Sequence, residues 1–109
     1  MSGWIKLHRS TLEWEWYTDA NTFRVFMHIL LNANIEPRRY RGIEVPIGSL
    51  VAGRQALASQ LGMSEQSVRT ALDHLGRSEI TIKSTSKFSI ISINKWSESK
   101  AINQQITNN

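Results

Sequence analysis

The chain has 109 residues, 40% of them hydrophobic, a size that suits one globular domain with a single core. It contains no cysteine, so disulfides and thiolate-bound metals are excluded, and His8, His28 and His74 are too scattered for a metal site. Thirteen Lys and Arg against nine Asp and Glu leave a net charge of +4, a balance that favours polyanionic partners. The opening MSGWIKLHRS lacks the layout of a secretion signal, and even FRVFMHILL is interrupted by Arg24 and His28, so neither export nor membrane insertion is expected. The expected compartment is a reducing cytoplasm.

WIKLHRS predicts a short strand with Ile5 and Leu7 on one face, and TLEWEWY predicts a helical turn or two. Trp4, Trp14, Trp16 and Tyr17 are crowded here. Most of these aromatics are expected to close the core. Any left exposed would form an oligomer contact, because indole rings give much contact area with few rotatable bonds; stacking on unpaired bases is a third, weaker use. Asp19 is the expected N-cap of ANTFRVFMHILLNAN, in which Phe23, Phe26, Met27, Leu30 and Leu31 recur at helical spacing as a core stripe. Asn32, Asn34 and Pro37 signal the end of that helix.

PRRYRGIEVPIGSLVAG holds two apolar runs, Ile43 to Val45 and Leu50 to Val51, separated by Pro46 and Gly48, and predicts a small hairpin or a pair of extended segments. Arg38, Arg39 and Arg41 around Tyr40 are the densest positive cluster of the chain, either a solvated loop or a phosphate contact. From Arg54 the pattern turns helical, with Ala56, Leu57 and Leu61 on one face and Gly62 able to leave the helix at positive φ. Ser64 opens a second helix whose inner stripe is Val68, Ala71, Leu72 and Leu75, while Gln66, Ser67, Thr70, Asp73, His74 and Arg77 face outward or flank it. ITIKS and KFSIISINKW then alternate apolar and polar residues, which predicts a β-hairpin. Beyond Trp96, SESKAINQQITNN is too polar to form a core, so one domain over 1–96 and a disordered tail or linker over 97–109 are expected.

Helix, extended segments, helix, sharp turn, helix, hairpin is the order of a winged helix-turn-helix domain. The expected fold class is therefore α+β, with three main helices, a C-terminal hairpin wing and a short N-terminal strand or helix extension. On such a fold the second helix of the pair enters a major groove about 12 Å wide with its N-terminal half. Ser64 would cap it and aim free backbone N–H groups at a phosphate. Gln66, Ser67 and Thr70 are the candidate base-readers, since they lie near the helix start and off the apolar stripe. Arg69 has three uses open to it: guanine contact, phosphate contact, or an ion pair with Glu65 one turn back. His74 lies too far along to read bases and is expected to be solvated.

Lys83 and Lys87 flank the hairpin tip and Lys95 follows near its end; they neutralise phosphates, protect exposed strand edges, or both. Over residues 54–79, Arg54, Arg69 and Arg77 are balanced by Glu65, Asp73 and Glu79. Attraction to DNA must then come mainly from the wing and the RRYR segment, with modest affinity for one copy and a need for oligomers or a linked module. No phosphate-cradling glycine motif, carboxylate pair, metal cluster or nucleophile setting is present, so neither an enzyme nor a cofactor or metal is expected.

GWIKLHRSTLEWEWYTDANTFRVFMHILLNAN, RGIEVPIGSLVAGRQALASQLGMSEQSVRTALDHL and EITIKSTSKFSIISINKW together resemble the N-terminal winged-helix domain of phage and prophage replication proteins of the DnaD-like, replisome-organiser type. The resemblance runs from Gly3 to about Trp96 and is most specific in LGMSEQSVRTAL, in the ITIKST and IISINKW hairpin, and in WEWY. It implies origin or single-strand DNA binding during assembly of a replication complex, contacts with other replication proteins, a dimer or higher oligomer, and a C-terminal domain beyond a polar linker. The Asn/Gln-rich tail looks like that linker. Where the family usually caps the bracing helix with Thr or Ser, this chain has Gly53, a loss of only a few tenths of a kcal/mol. A winged-helix transcription regulator and a protein-interaction module using the N-terminal aromatics or the hairpin edge are the alternatives on the same fold.

Overall fold

Asp19 sits in extended backbone and accepts the Thr22 amide at 3.0 Å, which starts α1 (Ala20–Asn32) where the sequence places it. The structure, a computed structural model, describes residue 5, residues 7–85 and residues 88–96. The inner side of α1 is rotated from the expected stripe. Thr22, Val25, Ile29 and Leu30 are buried, Phe23, Phe26 and Met27 are half-buried, and Leu31 is 60% exposed. The β-branched pair Val25 and Ile29, one turn apart, lies at the centre of the core, while the bulkier Phe23 and Phe26 lie on the flank beneath Trp14 and Tyr17.

The expected N-terminal strand is absent among the described residues. Ile5 and Leu7 are irregular and have no paired strand beside them; Ile5 packs on the core, and a single tight helical turn follows at Arg9–Glu13. The arginine cluster is likewise not a loop. β1 (Arg38–Tyr40) pairs antiparallel with β2 (Ile43–Val45), with Arg38 opposite Val45, Arg39 opposite Glu44 and Tyr40 opposite Ile43. Arg41 and Gly42 make the turn at φ 50° and 81°, the positive values that match a two-residue turn to the twist of its strands.

The second short run joins a different sheet. β3 (Ser49–Val51) pairs with β5 (Ser89–Ile93), whose other side carries β4 (Ile80–Ser84), giving the antiparallel order β3-β5-β4. Between β3 and β4 run α2 (Arg54–Leu61) and α3 (Glu65–Leu75). α2 buries Leu57, Ala58 and Leu61, whereas Ala56, expected on the inner face, is exposed. Its last turn closes on Gly62 in the left-handed conformation, φ 66°, so the chain reverses and Ser64 can cap α3 three residues after Leu61.

The core lies between the three helices and one face of the sheet, where Val25, Ile29, Leu57, Val68, Leu75, Ile80 and Ile91 meet. Trp14, Trp16, Trp96 and Met63 close its margins. The fold is thus a small α+β globule of three helices and antiparallel strands ending in a C-terminal hairpin. No described helix is long and apolar enough to cross a membrane.

Candidate nucleic-acid interface

Burial of Val68, Ala71, Leu72 and Leu75 fixes the rotation of α3 about its axis. The opposite side then presents Gln66, Thr70 and Asp73 in one exposed row with exposed Arg69 beside it. Ser64 accepts the Ser67 amide at 3.0 Å and donates its hydroxyl to Ser67 Oγ at 2.9 Å. Ser67 is half-buried and engaged in the cap, so of the expected readers Gln66 and Thr70 stand freest.

Arg69 does not take the intrahelical option. Glu65 and Arg69 form no ion pair within 4.0 Å. Arg69 instead lines a crevice of about 290 Å³ with Arg54, Asp73, Ile82, Ser84 and Ser89, between the start of α2, the outer side of α3 and the hairpin. Arg54 therefore joins the candidate residues, although periodicity missed it. It is the first residue of α2 and lies fifteen positions before Arg69, and only the packing of α2 against α3 brings the two to one wall.

The lysines expected together at the C-terminal hairpin are separated. Ile80, Ile82 and Ser84 share the α3 side of β4, so Lys83 points to the opposite face, where it borders a cleft of about 480 Å³ with Ile43, Glu44, Val45 and Pro46. Lys95 lies after β5, at the far end of the hairpin from its tip, and borders a cavity with Trp14, Glu79 and Trp96. The structure does not bring it to the start of α3. Lys87 lies outside the described residues, as do Trp4 and the tail over 97–109.

Arg38 and Arg39 are exposed on β1, and exposed Arg41 sits at the hairpin turn with its guanidinium 5.4 Å from the Tyr40 ring centroid. Arg39 donates to the Gly42 carbonyl at 3.1 Å. The N-terminal aromatics are mostly spent inside the molecule. Trp14 packs on Phe26 at 5.1 Å between centroids, and Trp16 stacks on His74 at 4.2 Å with planes 7° apart; Tyr17 remains exposed, edge-on to Phe23.

His74 is consequently not a solvated residue. Besides the Trp16 stack, its Nδ1 is hydrogen-bonded to the fully buried Thr22 hydroxyl at 2.9 Å, which ties the end of α3 to the start of α1. The sequence offered no periodic signal for this contact, because the partners are 52 residues apart. Among the described residues no group of three or more His, Asp or Glu side chains is placed to hold a metal ion. Comparison with known proteins found no matching family model, no matching curated protein and no matching solved structure.

Proposed function

We propose that this chain is a non-catalytic DNA-binding module with a winged helix-turn-helix fold, serving a replication protein of a phage or other mobile element. The observation that carries the reading is the exposed Gln66–Thr70 row of α3, set opposite a fully packed row and beside a crevice walled by Arg54 and Arg69. A side-chain amide at the start of a rigid helix can bond both edges of an adenine, and exposed Arg69 beside it would take guanine or phosphate in this reading. Arg54 and Arg69 supply positive charge beside this row, although the helix pair as a whole is neutral.

The test is fluorescence anisotropy of the chain with a labelled duplex across a salt series. Salt-sensitive binding that weakens in Gln66→Ala and Thr70→Ala is the expected result, and no binding at low ionic strength would sink the reading. A discrete palindromic target with half-sites about 34 Å apart would instead identify a transcription regulator on the same fold.

One specific observation favours self-association alongside DNA binding. Leu7, Leu12 and Tyr17 are exposed on a single N-terminal segment, Leu12 to 64%. A dimer through this segment would join two weak DNA-binding units, which raises avidity without new DNA contacts. Sedimentation equilibrium is expected to give a dimer that Leu12→Ser dissociates; a monomer throughout would remove this part of the proposal.

A further inference from the structure

The three-stranded sheet has two faces, and the helices occupy only one. Lys83 of β4 and Ile90 of β5 point to the other, where Val45 and Ile90 are buried apart from the main core. The β1–β2 hairpin covers this back face and is pinned there by Tyr40, whose ring meets Phe88 edge-on at 4.9 Å between centroids and 85° between planes. Arg38 and Tyr40 share the side of the hairpin that carries Val45 and line a crevice of about 300 Å³ with Asn32 and Gln60, Arg39 lies on the other side with Glu44, and Arg41 at the turn sits over the Tyr40 ring. Arg39 lies opposite Glu44 in the ladder yet makes no ion pair with it within 4.0 Å. Tyr40 keeps 39% of its surface in solvent although its ring packs against Phe88.

We propose that this back-face hairpin is a second nucleic-acid surface, one that takes single-stranded DNA, with Tyr40 as the platform for a base and Arg38 and Arg41 on the flanking phosphates. An exposed ring interleaved with cations grips unpaired bases, whose faces are open; in a duplex those faces are hidden within the stack. The ring is held in place before binding, so little freedom is lost when a base stacks on it. The inference takes its ligand class from the DNA-binding reading but uses no residue of α3. Occupied together, the two faces hold a duplex and an unpaired strand on opposite sides of one sheet.

The experiment is anisotropy of the full chain with a labelled oligothymidylate of about 15 nucleotides and, separately, a duplex of about 15 base pairs. Tyr40→Ala is expected to weaken single-strand binding about tenfold while leaving duplex binding within about twofold, and Tyr40→Phe is expected to keep both. The double variant Gln66→Ala, Thr70→Ala should show the reverse pattern. Arg38→Ala, at an exposed position, supplies the same readout if Tyr40→Ala does not fold, with single-strand binding weakened and its salt slope reduced by about one. The proposal is overturned if the wild-type chain does not bind the single strand, or if Tyr40→Ala, where folded, and Arg38→Ala both bind it as the wild type does. Duplex binding insensitive to the α3 variant overturns the reading of α3 instead, and leaves the result for the hairpin intact.

Discussion

Ser64 and His74 hold the two ends of α3, and they do so by different means. Ser64 satisfies a free amide of the first turn and engages Ser67, so Ser64→Ala is expected to cost about 1 kcal/mol, read as a shift in the denaturant midpoint at constant slope. His74 covers Trp16 and bonds a buried hydroxyl. His74→Ala would leave the Thr22 hydroxyl unpaired inside the core, with an expected cost of about 1–3 kcal/mol. The same variant should shift Trp fluorescence to the red as the face of Trp16 becomes wet. A variant as stable as the wild type would show that the contact contributes nothing.

At the scale of elements, two glycines test how the segments are joined. Gly62 and Gly48 both have positive φ, 66° and 80°, but their surroundings differ. A Cβ on Gly62 meets nothing within 4 Å, whereas one on Gly48 would lie 2.5 Å from Trp96 Cγ. Gly62→Ala is expected to cost about 1–2 kcal/mol, the left-handed conformation alone. Gly48→Ala adds a clash that must displace the indole or the turn before β3, and should cost more, roughly 3 kcal/mol. Equal losses by thermal or denaturant unfolding would mean that Trp96 does not rest on the turn.

For the whole molecule, the distribution of charge decides what can be tested. Lys83 lies near the hairpin tip on the back face of the sheet, across a cleft from Ile43 and Glu44, while Lys95 lies at the other end of β5. Lys83→Ala is therefore expected to reduce the log–log salt slope of single-strand binding by about one, and Lys95→Ala to leave it unchanged. The opposite ranking would place the DNA at the wrong end of the sheet. Arg54 and Arg69 share one crevice with Asp73 although α2 and α3 are neutral in sum, so in the proposed reading local placement rather than net charge draws DNA to this side.

Periodicity alone determined the inner stripe of α3, the Gly62 reversal, the Asp19 and Ser64 caps and the β4–β5 hairpin, because each depends on residues within one or two turns of one another. Gln66 and Thr70 were legible as candidate readers for the same reason: once the buried row is known, the outward row follows. Where several apolar residues competed for one face, as in α1 and α2, composition did not say which would win, and the choice of Val25 and Ile29 over Leu31, and of Ala58 over Ala56, came from packing against other elements. The pairing of β3 with β5, the pinning of the RRYR hairpin by Phe88, the meeting of Arg54 with Arg69 and the lock of His74 on Thr22 are long-range contacts. Only the tertiary structure decides these, because they arise when separate elements bury their apolar faces against a common core, and no local pattern encodes which polar neighbours that burial brings together.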